Sequence, residues 1–407
     1  MKKLLGILCL ASMVMTVACQ NPEKELEEEI GAYLAEVENV GLSCVVVKDN
    51  QIVYNHNFGV KDLETQEPVD DNTIFRIASI SKSFTGTSIM QLIDKGVLHL
   101  KDNVSDLVGF PVVNPNFPED TITLEMLLSH TSSITDHEGY FTIDVINPAT
   151  NENFANCYST KQPGTTYRYC NLNLNLAGTI LERYSGERFD QYVVNHILKP
   201  MGLYGGYCVD SLDASRFAHL YEVVDATTNE LVRQDSAYLA RSEEIANYTM
   251  GHDAPIFSPT GGMKISALDL ARYMMMHMNY GMYPLKDSIR IIPEALARDM
   301  QVPRSFYSHK VGGPALTDSQ SDEPDKVEEK IVTENYCITL WRTNKFDDEV
   351  EMVGHTGGAY GLCSAMFFNP EEKYGFVVIS SGSKGSSVHN NVVSMLYRHF
   401  IKGNEKK

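Results

Sequence analysis

The sequence predicts an α/β (α+β) fold: one antiparallel sheet built from both ends of the chain and covered by terminal helices, joined to a mostly helical body from the middle. Two observations carry that prediction. The chain ends mirror each other, helix then paired strand-like runs at the start, paired strand-like runs then helix at the finish. Between them, helical spacing dominates.

At the start, Leu26, Ile30, Leu34 and Val37 recur at helical intervals in ELEEEIGAYLAEVE. LSCVVVKDN (42–50) and QIVYNHNFG (51–59) then flank a short polar turn, the pattern of a hairpin. At the finish, CSAMFFNPEEKYGFVVISSG places two apolar runs around the turn Asn369-Pro370-Glu371-Glu372, and the helical VHNNVVSMLYRHFI follows. The middle supplies SFTGTSIMQLIDKGVL, LEMLLSH, NLNLAGTILERYSG, FDQYVVNHIL, ALDLARYMMMHM and IPEALARDM, without a repeat of fixed period. The expected division is a sheet domain over residues 26–76 and 286–405 and a mostly helical domain over 77–285. Residues 304–335 are polar, acidic and rich in Gly, Pro and Ser, which reads as a surface loop inserted in the sheet domain.

With 407 residues, 43% of them apolar, the chain can bury a sizeable core. Residues 1–18 carry Lys2 and Lys3, an apolar run and small residues, the layout of an export signal too short to span a membrane comfortably. The ending Thr16-Val17-Ala18-Cys19 resembles a bacterial lipobox, with threonine in place of the usual leucine. The expectation is an exported bacterial protein, lipidated at Cys19 and anchored in the periplasm or at the outer membrane, with residues 19–25 as a tether. An ordinary cleaved signal with an incidental Cys19 is the alternative. The formal charge of −19 becomes −21 once Lys2 and Lys3 depart, so nucleic acid is not an expected partner, and contact with a membrane runs only through the lipid.

Cys44, Cys157, Cys170, Cys208, Cys337 and Cys363 remain after Cys9 and Cys19, in no CxxC or Cys/His metal spacing. Most read as small buried residues, with one disulfide allowed among Cys157, Cys170 and Cys208. None of the twelve histidines lies in an HExxH-like cluster, so no metal and no other cofactor is expected.

FRIASISKSFTG places Ser79 and Lys82 three apart at the start of a helix, on one face. A hydroxyl becomes a useful nucleophile when a base takes its proton, and a lysine of lowered pKa can do so. Free N–H groups at the helix start can stabilise an oxyanion. The spacing alone is weak, since chance supplies it roughly once or twice in a chain this long. Ser381 and Lys384 repeat it in a Gly/Ser turn with no following helix. PGTTYRYCNLNLNLAG adds the only Tyr-x-Asn, at Tyr169 and Asn171, where the phenol can shuttle a proton and the amide can orient the lysine and a substrate carbonyl. EMVGHTGGAYGLCSAMFF adds His355, Thr356, Gly357 and Gly358 ahead of a strand; the glycines admit a close ligand and a second oxyanion donor, and His355 can bind a substrate carboxylate or tune the proton relay.

SxxK, then YxN about 90 residues on, then HTG about 185 later resembles the serine β-lactamase and penicillin-binding protein superfamily. The resemblance is particularly to the branch of class C β-lactamases, D-alanyl-D-alanine carboxypeptidases, esterases and acyltransferases. LLSHTSSI (127–134), TGGMKISALDLARYM (260–274) and GHTGGAYG are similar to the same family, over about residues 25–400. The resemblance implies a five-stranded antiparallel sheet flanked by the terminal helices, with the site in the cleft beside the helical domain. It implies Ser79 as acylated nucleophile, Lys82 as base and Tyr169 as second proton carrier. Asn171, His355, Thr356 and Gly357 would contact substrate, and the N–H groups of Ser79 and Gly358 would form the oxyanion hole.

Two departures matter. His355 stands where lysine is frequent, which weakens the case for efficient β-lactam hydrolysis, and Cys170 stands where serine is frequent. The first expectation is a serine hydrolase working through acyl-Ser79 on small amides or esters. The alternative passes the acyl group to a hydroxyl or amine of a small, hydrophobic acceptor; the partners are accordingly a small-molecule acyl donor and, for transfer, an acceptor. A non-catalytic penicillin-binding protein is disfavoured by the intact Ser79, Lys82 and Tyr169.

Overall fold

The computed structural model describes residues 22–285, 289–306, 308–311, 330–347 and 349–403. The signal reading of residues 1–18 and the lipidation reading of Cys19 lie outside these residues. So does the middle of the 304–335 segment.

Helix α1 (Pro22–Glu36) leads into strands β1 (Gly41–Lys48) and β2 (Gln51–Gly59). The central segment contributes α2 (Ser81–Asp94), α3 (Asn171–Ser185) and α4 (Ala267–Met278) among shorter helices. The chain then forms β3 (Ser308–Val311), β4 (Lys330–Tyr336), β5 (Trp341–Thr343), β6 (Met352–Ala359), β7 (Leu362–Asn369) and β8 (Tyr374–Ser380), and closes with α5 (Val388–Tyr397). The sheet order is β3-β4-β5-β6-β7-β8-β1-β2, with every neighbouring pair antiparallel. The strands from the two chain ends meet where β1 pairs with β8, Cys44 opposite Val378.

Alternation along these strands explains why their sequences read as unbroken apolar runs. Leu42, Cys44 and Val46 of β1 and Phe376 and Val378 of β8 pack under Leu26, Ile30 and Leu34 of α1 and Val388, Val392 and Leu396 of α5. Val45, Val47, Val377 and Ile379 face the other way, into a core shared with Met274, Met275 and Met278 of α4. A sheet buried on both faces needs apolar residues at both parities.

The four strands read from the sequence, β1, β2, β7 and β8, are present; β6, which itself contains His355 to Gly358, supplies a fifth, and three further strands extend the sheet beyond it to eight, where the resemblance implied five. That extension corrects the loop expected over residues 304–335. Its described ends are β3 and β4, paired with Ser308 opposite Thr333. The acidic, Gly/Pro-rich composition between them masked the strand character of KIVTENY. The tether expected over 19–25 is likewise shortened, because α1 is helical from Pro22.

No disulfide joins Cys157, Cys170 and Cys208, which are buried free thiols. Each has its own acceptor: Val145 O at 3.3 Å for Cys157, Asp136 Oδ1 at 3.1 Å for Cys170 and Asp210 Oδ2 at 3.7 Å for Cys208. Burial pushes all three thiols above their usual range, Cys157 to about 11, which keeps them protonated and unreactive. No helix among the described residues is long and apolar enough to cross a membrane.

Candidate active site

Ser79 sits where a two-residue strand, Phe75–Arg76, turns abruptly into α2. Ala78 adopts φ +44°, a left-handed conformation uncommon for a residue with a Cβ, and Ser79 follows in a single 3-10 turn, Ala78–Ile80, that runs into the helix. Strand β6 lies directly against this turn. A Cβ on Gly357 would come within 2.3 Å of Ile77 O and 2.5 Å of Ser364 Oγ, so only glycine permits the approach. The Ser364 hydroxyl, on β7, donates to Ile77 O at 3.1 Å and ties the sheet to the turn.

One helical turn on, the Lys82 ammonium is fully buried and spends its donors on Ser79 Oγ (3.0 Å), Asn171 Oδ1 (3.0 Å) and Thr260 O (2.9 Å). Burial pushes it down to about 7, against the opposing pull of Asp136 and Cys170. Near neutrality the amine is therefore part neutral, and a neutral amine 3.0 Å from a hydroxyl can take its proton.

Asn171 is held from behind. Its Oδ1 also accepts from Thr260 Oγ1 (2.8 Å), while its Nδ2 and backbone N–H donate to Asp136 Oδ2 at 3.0 and 2.8 Å. Leu172 N donates to Asp136 Oδ1 at 2.9 Å. Asp136 thus serves as the N-terminal acceptor of α3, a task that the N-cap residue Cys170 does not perform with its side chain.

Tyr169 lies under the lysine, with Lys82 Nζ 4.7 Å from its ring centroid. Burial raises the phenol above its usual range, and an interaction with Ser79 opposes the rise, so the hydroxyl stays protonated beside Ser79. Its ring is backed by His130 at 4.4 Å, Tyr336 at 6.4 Å and His355 at 6.2 Å between centroids. His355 Nδ1 donates to Thr356 O at 2.5 Å, which leaves Nε2 to accept from the Tyr336 hydroxyl at 3.3 Å. Only 2% of His355 is exposed, and burial followed by the Lys82 charge pushes it down to about 3. Burial keeps the ring neutral behind Tyr169, and His355 is not among the residues that line the cleft beside Ser79. Tyr336 of β4 and Trp341 of β5 pack against its ring at 5.9 and 6.2 Å between centroids.

The cleft beside Ser79 has a volume of about 460 Å³ and is lined by Tyr169, Asn171 and Gly358 among the expected residues, joined by Arg76, Tyr140, Phe141, Thr260 and Tyr360. Thr356 and Gly357 adjoin it in β6 without lining it. The competing pair is taken apart by the fold: Ser381 Oγ donates to Gly41 O at 3.3 Å and Lys384 is ion-paired to Glu38 at 2.7 Å. Among the described residues, no three His, Cys, Asp or Glu side chains gather as a metal site.

The family model described as Beta-lactamase matches residues 26–393. The chain belongs to the Beta-lactamase family. Protein flp of Staphylococcus aureus (strain MW2) is 25% identical over 354 residues, covering 84% of this chain and 59% of that protein, so the chain spans about three fifths of that relative's length. The octameric penicillin-binding protein homologue from Pyrococcus abyssi superposes with a TM-score of 0.67 at 25% identity, covering 92% of this chain and 77% of that one. A class C β-lactamase superposes with a TM-score of 0.66 at 17% identity, covering 93% and 96%.

In this Beta-lactamase-family chain, Asp136 and Thr260 complete the Lys82 environment, and sequence reasoning did not find either as a site residue. Thr260 opens the TGGMK segment, a usable signal. Asp136 caps a helix that begins 35 residues later, and no local spacing reveals such a partnership. Because the Asp136 charge raises Lys82, Asp136→Asn is expected to shift the acid limb of the acylation pH profile to lower pH. Loss of the cap should also cost about 1 kcal/mol of stability. An unmoved limb in a folded variant would remove Asp136 from this role.

Proposed function

We propose that the protein is a serine hydrolase that cleaves small amides or esters through a covalent acyl-Ser79 intermediate. The observation that carries the proposal is the buried Lys82 amine, 3.0 Å from Ser79 Oγ and depressed to about 7. In the proposed sequence, Lys82 accepts the Ser79 proton as Oγ attacks the substrate carbonyl. The oxyanion forms against the backbone N–H groups of Ser79 and Gly358. Tyr169 gives its proton to the departing amine or alcohol and is reprotonated from Lys82 beside it, and water then attacks the acyl-enzyme, yielding its proton through the same pair to Ser79 Oγ as the acid is released. Each step uses a group that would otherwise be an expensive feature to bury.

A second reading, transfer of the acyl group to a small apolar alcohol or amine, is favoured by the aromatic rim of the cleft. Phe141 is 65% exposed there, beside Tyr140 and Tyr360. Incubation with an activated acyl ester should add one acyl mass to Ser79. Turnover with and without a panel of alcohols separates the fates, since only the free acid in every case excludes transfer.

We also propose export with a lipid on Cys19, on the strength of the apolar run ahead of it. The N-terminal peptide of the mature protein is expected to begin at Cys19 with the mass of acyl chains. A bare Cys19 refutes the anchor.

A further inference from the structure

A second cavity, of about 280 Å³, adjoins the Ser79 cleft and shares Arg76, Phe141, Ser258 and Tyr360 with it. Its wall carries three cationic side chains, Arg76, Arg241 and Lys264, and one carboxylate, Glu244. Glu244 is engaged by Arg241 at 2.6 Å. Asp210, close by, accepts from Arg241 N and Ser242 Oγ, both at 2.7 Å.

Arg76 and Lys264 have no such partner among the described residues. Arg76 donates Nε to Gly261 O at 3.0 Å and one terminal nitrogen to Ala237 O at 3.2 Å, with its guanidinium 5.0 Å from the Tyr360 ring centroid. Lys264 is 4% exposed and makes one bond, to Tyr207 O at 2.7 Å, which leaves ammonium donors unspent. The two residues face each other in register across their strand pair. Burial, then the charges of Arg76 and Arg241, push Lys264 well below its usual range. A half-buried guanidinium beside a buried amine, with only Asp210 and the Arg241-bound Glu244 nearby to offset them, is short of negative charge, and an anion in the cavity supplies it.

We propose that this cavity is an anion subsite of the Ser79 centre that takes a carboxylate on the acyl group of the substrate. The proposal rests on Ser79 being the acylated residue. Tyr169, the donor to the leaving group, lines the Ser79 cleft and not this cavity, so the leaving group departs on one side and the acyl chain extends to the other. Val209, Leu239, Pro255 and Ile256 are among the apolar residues of the wall and suit a short methylene chain ahead of the carboxylate.

The test compares p-nitrophenyl glutarate with p-nitrophenyl pentanoate, which match in chain length and leaving group and differ in the terminal carboxylate. The wild-type protein is expected to favour the glutarate at least tenfold in kcat/KM. Lys264→Met should erase that preference and change pentanoate turnover less than threefold. Arg241→Met, which releases Glu244 beside the cavity, should lower the preference independently and serves if Lys264→Met does not fold. Calorimetric titration of glutarate into Ser79→Ala needs no turnover; saturable binding there, weakened tenfold by adding Lys264→Met, supports the subsite even if neither ester acylates Ser79. No saturable glutarate binding, no wild-type preference, or an equal fall for both esters in Lys264→Met overturns it. Displacement of glutarate by inorganic phosphate at lower concentration would reassign the cavity to phosphate and overturn the carboxylate.

Discussion

Ser79→Ala is expected to lower turnover of any ester or amide substrate by about 10⁶, the scale seen when the nucleophile of a covalent mechanism is removed. The variant should fold as the wild type does, because Ser79 is half-buried and its hydroxyl serves the site: it accepts from Lys82 and meets Tyr169. Acyl mass appears on wild-type Ser79 and is absent from the variant. Unchanged turnover in Ser79→Ala would sink the acyl-enzyme mechanism outright, whatever the fold.

Lys82→Met should cut acylation of Ser79 by roughly 10² to 10⁴ while leaving the hydroxyl in place. The pH dependence separates this from loss of packing. With the lysine at about 7, the wild-type acylation rate is expected to fall about tenfold per unit as pH drops below 7 and to level off above it, a limb that Lys82→Met lacks. Stability provides a second readout. The unfolded chain holds the Lys82 proton up to the ordinary lysine pKa near 10.4, whereas the folded chain releases it at about 7, so between these values the unfolded state binds more protons. Stability therefore gains from this group as pH rises from 7 to 10, by at most about 1.4 kcal/mol per unit. Unfolding curves for wild type and Lys82→Met over that interval should diverge in favour of the wild type. A constant difference across it would show that Lys82 is not held down by burial.

The sheet was legible because both its faces are buried: LSCVVVKDN and YGFVVISSG read as strands, and the helical spacing of Leu26, Ile30 and Leu34 supplied the cover. The edge hairpin was not. The long acidic stretch between β3 and β4 looks like a loop in composition, while KIVTENY is held as strand by pairing with its neighbours. The consequence reached the site, because β4 carries Tyr336, whose hydroxyl bonds His355 Nε2 and whose ring packs against it. A sequence shows that a histidine occurs beside Thr356 and Gly357. It does not show what covers the ring.

Ser79, Lys82, Tyr169 and Asn171 were available from the sequence by itself, since helical spacing and two short ordered motifs are local properties of the chain. What carboxylate holds Asn171, what engages the rejected Ser381 and Lys384, and how far Lys82 is depressed were decided by the tertiary structure. Ser381 and Lys384 have the same spacing, yet one bonds the start of β1 and the other pairs with Glu38. Asp136 reaches α3, and Thr260 reaches Lys82, across long stretches of chain. Burial, the main cause of the lysine's depressed pKa, arises from packing segments remote in sequence, and residue spacing carries no record of it.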